Sequence, residues 1–144
     1  MVGLLAGGGC SGTTTSPSGA SVTASVTVQG QTLAAIRSAT IEVFQKDGYA
    51  LRPAPEGKLV FEKRAGKTAS YAYGGFFDSG VWIRAKLDVR PIGENLRVIE
   101  CVACRVRNHD DQFLEEEQTA PGVKRKPFEA LLNEIKTKLA TPSP

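Results

Sequence analysis

Two cysteines, Cys101 and Cys104, have the CxxC spacing that redox enzymes and zinc sites use. A redox pair normally opens a helix, where the helix dipole lowers the pKa of a thiol. Here the neighbouring residues alternate as in a strand, so side chains three apart point to opposite faces. A structural zinc ion needs four ligands, and the chain has no second cysteine pair. We therefore predict two small strand residues without a mutual disulfide, one of them in the core.

The single histidine, His109, is followed by Asp110 and Asp111. An imidazole beside carboxylates can bind a metal or act as a general base. The segment is polar and follows a predicted hairpin, and acidic clusters are common on protein surfaces. We predict a solvated loop that holds no metal and no cofactor. A thiol- or metal-dependent enzyme that uses Cys101, Cys104 or His109 is kept as an alternative.

Aromatic residues are concentrated in one short segment around Gly74 and Gly75. Five of the ten aromatic side chains lie within twelve residues, namely Tyr71, Tyr73, Phe76, Phe77 and Trp82. Such a group can grip a ligand or a peptide. It can also be core and edge packing, with the glycines at a bulge. The segment is the strongest candidate for an interaction surface in the chain.

Two runs of opposite charge, at 115–117 and 124–126, precede the last predicted helix. We expect both runs to face solvent. The basic run can also touch anionic lipid or a partner. Three cations contribute about 1 kcal/mol each near an anionic surface, which is too little to anchor a protein.

Composition and missing motifs narrow the function further. Eighteen Lys and Arg residues against fifteen Asp and Glu residues give a formal charge of +3, which argues against an electrostatic nucleic-acid binder. The sequence contains no serine nucleophile elbow, P-loop or dinucleotide fingerprint. We predict a non-enzymatic protein with no catalytic residues and no nucleic-acid partner.

Hydrophobic periodicity predicts the elements that position these residues. Helical stripes cover 31–47 and 127–140, with Gly48 as a left-handed C-cap and Pro127 in the first turn. Alternating residues predict strands, which we place at 21–28, 49–51, 58–64, 69–77, 81–90 and 96–107.

The strand at 96–107 contains a conflict in its alternation. We place its apolar set inward, namely Leu96, Val98, Val102, Cys104 and Val106. Glu100 interrupts that set, so we predict a bulge near Ile99 and Glu100.

This order of elements, β-α-β-β-β-β-α, predicts an α+β two-layer sandwich. An antiparallel sheet of about five strands carries both helices on one face, as a single domain over residues 21–140 with a frayed end at 141–144. The order resembles that of helix-grip domains, including those of some envelope-assembly lipoproteins. That resemblance lies in element order alone and implies no role for any residue.

The first charged residue is Arg37, and the uncharged segment before it has a distinct pattern. A short apolar run ends in Gly8, Gly9 and Cys10, and a Ser/Thr/Gly/Pro stretch follows to Gly19. This resembles the end of a bacterial lipoprotein signal peptide, in which small residues precede a cysteine that is lipidated. The resemblance implies a signal segment at 1–9 and a lipidated Cys10 carrying palmitate-type acyl chains.

Residues 10–20 would then be a flexible tether. They have few apolar side chains to bury, so burial cannot offset the conformational entropy that ordering them would cost. The flexible stretch at 11–19, which is nine residues long, spans about 15–18 Å root-mean-square. We therefore expect a membrane-anchored protein of the bacterial cell envelope that faces the periplasm or the exterior and binds or scaffolds an envelope partner. A carrier of a small apolar ligand, enclosed between sheet and helices, is the other alternative.

Overall fold

The computed structural model describes residues 22–65, 81–119 and 124–141. An antiparallel sheet forms one layer, and its strands are β1 (Ala24–Gln29), β2 (Ala50–Arg52), β3 (Lys58–Arg64), β4 (Trp82–Gly93), β5 (Leu96–Arg107) and β6 (Glu116–Thr119). The strand order is β1-β5-β4-β3-β2, and β6 pairs with β5 off this path. The predicted α+β class is confirmed, and β6 is a short strand that the sequence did not predict. The strand predicted at 69–77 lies outside the described residues.

Two helices form the second layer, α1 (Leu33–Lys46) and α2 (Lys126–Ala140). In α1, Thr32 caps the N-terminus by accepting a hydrogen bond from the Ala35 N–H, and Gly48 follows the helix with a φ of 96°. Within the described residues, neither helix is both long and apolar enough to cross a membrane.

The core lies between the helices and one face of the sheet. Phe44 of α1 stacks on Phe61 of β3, with ring centroids 4.6 Å apart, and both are fully buried. The buried members from α2 are Phe128, Leu131, Leu132 and Ile135. Both predicted helical stripes are therefore confirmed, except that Leu33 at the start of α1 is half exposed.

The strand β5 faces the core with the opposite set of residues from the one predicted. Ile99, Cys101 and Ala103 point to the helices, whereas Cys104 and Val106 are buried on the other face. Ile99, Cys101 and Ala103 belong to the same buried cluster as the apolar residues of the two helices.

The bulge predicted near Ile99 and Glu100 is also wrong. Pairing of β4 with β5 runs without a break from Trp82–Val106 to Pro91–Arg97, and the register shift lies between Pro91 and Gly93. Glu100 points away from the core, where it bonds to Arg90, so no bulge is needed.

The long β4–β5 hairpin defines two ends of the domain. At the Asn95 end, β4 turns into β5, and Gln31 donates a hydrogen bond to the carbonyl of Leu139 at the end of α2. The opposite end, where β5 stops, is called the Arg107 end.

The starts of β1 and α2 lie at different positions between these two ends. The N–H of Thr23, just before β1, bonds to the carbonyl of Cys101 at 2.8 Å, so β1 begins opposite the middle of β5. The ring centroid of Phe128, near the start of α2, lies 6.5 Å from that of Tyr49. The Nζ of Lys63, near the end of β3, lies over the same tyrosine ring. The start of α2 thus lies toward the Arg107 end, whereas β1 starts about midway between the two ends.

We predict that Phe61→Ala lowers the free energy of unfolding by about 3–5 kcal/mol, because it removes a fully buried ring that stacks on Phe44. The matched substitution Phe113→Ala removes a ring that is 87% exposed, and we expect a change within about 0.5 kcal/mol. Urea unfolding of both variants measures the difference. Equal losses would contradict the packing described here.

Candidate functional site

The face of the sheet opposite the helices holds a buried carboxylate, Glu62, whose side chain is only 2% exposed. The Nε of Arg84 donates a hydrogen bond to its Oε2 at 2.6 Å. The Nε2 of His109 lies 2.6 Å from its Oε1, and the Nε of Arg52 lies 3.4 Å from the same oxygen. Both oxygens of the buried charge are therefore held by cationic or proton-bearing groups, as burial of a charge requires.

Strand register creates the centre of this arrangement. Glu62 of β3 pairs directly with Arg84 of β4, and Arg84 pairs with Cys104 of β5. Directly opposed residues place their side chains side by side on the same face. The carboxylate of Glu62 and the guanidinium of Arg84 therefore meet without any distortion of the strands.

Arg84 binds two further carboxylates besides Glu62. Its Nη1 lies 2.8 Å from the Oε2 of Glu117, and its Nη2 lies 3.3 Å from the Oε1 of Glu115. Burial acts to lower the pKa of Arg84, but the hydrogen bonds to these three carboxylates outweigh it and raise the pKa above its usual value. Arg84 is therefore a permanent cation that joins β3, β4 and the segment leading into β6.

Lys86 completes the arrangement through Glu117. Its Nζ donates to the Oε1 of Glu117 at 2.5 Å. Burial acts to raise the pKa of Glu117, yet the hydrogen bonds from Lys86 and Arg84 prevail and lower it below its ordinary value. We call the whole set the Glu62 cluster, which comprises Arg52, Glu62, Arg84, Lys86, His109, Asp110, Glu115 and Glu117.

The turn after β5 brings His109 into this cluster. Asn108 and Asp110 have φ values of 53° and 66°, which reverse the chain and which Asn and Asp adopt more readily than most residues. The imidazole stacks on Trp82, with centroids 4.0 Å apart and an interplanar angle of 9°. The side chain of His109 is only 9% exposed, so the predicted solvated loop is wrong for this residue and holds for Asp110 and Asp111.

Both ring nitrogens of His109 face carboxylates. Nε2 meets Glu62, and Nδ1 lies 3.4 Å from the Oδ2 of Asp110. A general base needs a nitrogen directed at the proton that it removes. The geometry instead fits a histidine that fixes the turn to the sheet.

His109, Asp110 and Glu115 are the only group within the described ranges whose ligand atoms could hold a metal, lying within 4.8 Å of one another. Asp110 already binds Arg52 at 3.2 Å, and Glu115 already binds Arg84. A divalent cation would have to displace or repel both guanidinium groups. The arrangement therefore fits an ion-pair cluster better than a metal site.

The two cysteines lie on opposite faces of β5, as predicted, and neither forms a disulfide. Burial raises the pKa of the Cys101 thiol to about 12. Burial, together with the nearby Glu117 carboxylate, raises the pKa of the Cys104 thiol to about 11. Since the thiolate is the nucleophile and the metal ligand, both thiols are inert at neutral pH.

The predicted interaction surface is represented here by Trp82 alone, which covers His109. Four of its members and the predicted lipid acceptor lie outside the described residues, namely Cys10, Tyr71, Tyr73, Phe76 and Phe77.

Sequence reasoning missed Glu62 and Arg84 as site residues. A signal was present, because the outward positions of β4 carry a series of long polar or charged side chains that need partners on neighbouring strands: Trp82, Arg84, Lys86, Asp88 and Arg90.

We predict that Glu62→Gln lowers the free energy of unfolding by about 3 kcal/mol, because it leaves buried hydrogen-bond donors facing a neutral amide. Glu100→Gln is the matched control on the same face, where Glu100 bonds to the more exposed Arg90. It should lower stability much less. Urea unfolding at neutral pH compares the two, and equal losses would rule out a special role for Glu62.

We predict that Cys101 and Cys104 of the native protein do not react with a thiol reagent at pH 8. A thiol with a pKa of about 11 has about a hundredfold less thiolate at this pH than an exposed one. Both thiols should react rapidly once guanidinium chloride unfolds the chain. Rapid reaction of a Cys10→Ala variant without denaturant would contradict the burial of both residues.

Comparisons with known proteins assign no family to the chain. No protein-family model matches it, and a search of curated proteins finds no match. Among solved structures, it is similar to the adenylate sensor from AMP-activated protein kinase, determined in complex with 5-aminoimidazole-4-carboxamide 1-beta-D-ribofuranotide (ZMP). That similarity has 12% identity and a TM-score of 0.45, and it covers 81% of this chain and 95% of the other. A likeness this remote carries no argument about what the present chain binds.

Proposed function

We propose that this chain is a non-enzymatic binding or scaffolding domain that a lipid on Cys10 attaches to the bacterial cell envelope. The observation that carries the proposal is the sequence around Cys10. Small residues precede this cysteine, and the chain after it has no charged residue until Arg37. Two acyl signals or more give stable attachment, so no membrane-spanning segment is needed.

The chemistry of the described residues supports a binding role over a catalytic one. The nitrogens of His109 are directed at Glu62 and Asp110, and burial keeps the thiols of Cys101 and Cys104 protonated. Charged side chains that could act on a substrate are instead committed to holding the turn after β5. Such a rigid cluster serves to present a surface in a fixed shape.

The alternative of an apolar-ligand carrier finds less support. A ligand enclosed between sheet and helices would lie where Phe44 and Phe61 stack and where Ile36 and Ile135 are fully buried. The side chains of the protein itself fill that place.

We predict that radiolabelled palmitate enters the protein in its bacterial host and that Cys10→Ala abolishes the label. Cys104→Ala is the matched control and should retain the label, because Cys104 is buried. Intact mass of the membrane-extracted protein should show loss of residues 1–9 and gain of diacylglycerol and acyl groups. An unprocessed, unlabelled protein, or equal labelling of the Cys10→Ala variant, would refute the proposal.

A further inference from the structure

His109 lies between two carboxylates on the outer face of the sheet. Its Nε2 is 2.6 Å from the Oε1 of Glu62, and its Nδ1 is 3.4 Å from the Oδ2 of Asp110. A neutral imidazole carries a hydrogen on only one of its two nitrogens, whereas a protonated imidazole donates from both. Only the protonated ring can therefore donate toward both carboxylates at once.

The charges around the ring come from every element that surrounds it. Among the described residues they are the carboxylates of Glu62 on β3 and of Asp110 and Glu115 in the turn, and the guanidinium groups of Arg52 on β2 and Arg84 on β4, which bind them. Three carboxylates against two guanidinium groups leave one negative charge. A proton on the imidazole balances that charge, and its loss restores the imbalance beside a buried carboxylate.

Trp82 of β4 stacks on the imidazole and contributes no charge. The two ring centroids are 4.0 Å apart, and the planes differ by 9°. Arg64, which lies opposite Trp82 on β3, is exposed, so solvent screens its charge. Glu62 and Asp110 are therefore the partners that a change of charge on His109 affects most directly.

The carboxylate of Asp110 connects His109 to the rest of the turn. Its Oδ1 lies 3.2 Å from the Nη2 of Arg52, and the Asp110 N–H donates to the Oε1 of Glu115 at 2.9 Å. The Glu115 N–H in turn donates to the carbonyl of Asp111 at 3.2 Å. A displacement of Asp110 therefore reaches the backbone of the whole turn.

The same turn bears Phe113 and Leu114, which are 87% and 64% exposed and are the two most exposed large apolar side chains of the described residues. Their N–H groups donate to the Oδ1 of Asp111 at 2.9 Å and 2.8 Å. The hydrogen bonds of Asp110 and Asp111 thus decide whether this pair is presented in one fixed conformation.

We propose that His109 is a pH-dependent switch of the turn at 108–115. The protonated ring holds Asp110 and fixes the turn, and loss of the proton releases Asp110 and loosens the turn. In the neutral ring, Nε2 keeps its hydrogen for the closer carboxylate of Glu62, so the lone pair of Nδ1 faces the negative charge of Asp110 and repels it. This inference does not depend on a lipid on Cys10.

The switch operates where an imidazole exchanges its proton, between about pH 5 and 8. Carboxylates ordinarily titrate near about pH 4. The backbone hydrogen bond from Asp110 lowers the pKa of Glu115 further. Arginine keeps its proton throughout this range. Acidification to pH 5.5 is therefore expected to fix the turn, and a rise to pH 8 is expected to loosen it.

The fluorescence of Trp82 reports the proton on His109. The chain contains one tryptophan and one histidine, and their rings are stacked. A protonated imidazole quenches indole emission more strongly than a neutral one does. We expect the emission of the full-length protein to rise with pH in a single transition between about pH 5 and 8. His109→Gln should remove that transition.

Hydrogen exchange of the turn amides tests the release. Exchange with water is measured by NMR for the N–H groups of Phe113 and Leu114 and corrected for the intrinsic rate at each pH. We expect their protection to fall about tenfold from pH 5.5 to pH 8, because a charge-assisted contact is lost. The N–H of Gly30, which donates to the carbonyl of Asn95 at 2.8 Å at the other end of the hairpin, should keep its protection.

Asp110→Asn separates the switch from the titration. Asn tolerates the φ of 66° at this position and carries no charge that a neutral imidazole would repel. We expect the Trp82 emission of this variant to titrate as before. The protection of the Phe113 and Leu114 amides should no longer change with pH, and the same should hold for His109→Gln.

Several results would overturn the inference. One is equal protection of the two turn amides at pH 5.5 and pH 8, and another is protection that increases with pH. A fall in protection that Asp110→Asn leaves as large as in the native sequence would assign it to another group. Trp82 emission without a transition, or with one that persists in His109→Gln, would show that His109 does not change its charge in this range. None of these results bears on the proposed lipid attachment.

Discussion

The carboxylate of Glu62 is the constraint on which the outer face of the sheet depends. A charge that is 2% exposed must be compensated, or burying it is prohibitively unfavourable. Arg84, Arg52 and His109 supply the compensation from three separate segments of the chain. Folding of β3 in its observed register therefore requires that the strand β4 and the turn after β5 be in place. One buried acid thus links parts of the chain that are distant in sequence.

The same cluster turns a loop into a fixed structure. The segment between β5 and β6 contains few side chains that the core buries, so the hydrophobic effect alone would leave it loose. His109 stacks on Trp82 and bonds to Glu62, while Glu115 bonds to Arg84. These contacts lie on both sides of the turn that bears Phe113 and Leu114. Polar chemistry on the sheet therefore fixes an apolar feature at the edge of the domain.

The sequence predicts the elements of this fold well and the partners of its charges poorly. The helical stripes and the strands at 58–64 and 96–107 follow from local periodicity, which one segment of sequence contains. Periodicity does not predict which face of β5 meets the core, because both of its alternating sets contain apolar residues. The choice depends on which set joins the buried cluster with the helices, and Cys101 and Ala103 do so. Glu62 went unnoticed for a similar reason, since its partner Arg84 lies 22 residues away and meets it only through strand register.

The arrangement of β1 and β6 has a consequence for assembly. These two strands divide one edge of β5 between them, β1 along Leu96–Cys101 and β6 along Cys104–Arg107. The hydroxyl of Thr23 bridges the junction by accepting the N–H of Ala103 at 2.8 Å. Among the described strands, the outer edges are thus short and interrupted, with three residues in β2, four in β6 and six in β1. Such edges make poor templates for a strand from another molecule, which protects the sheet from edge-to-edge aggregation.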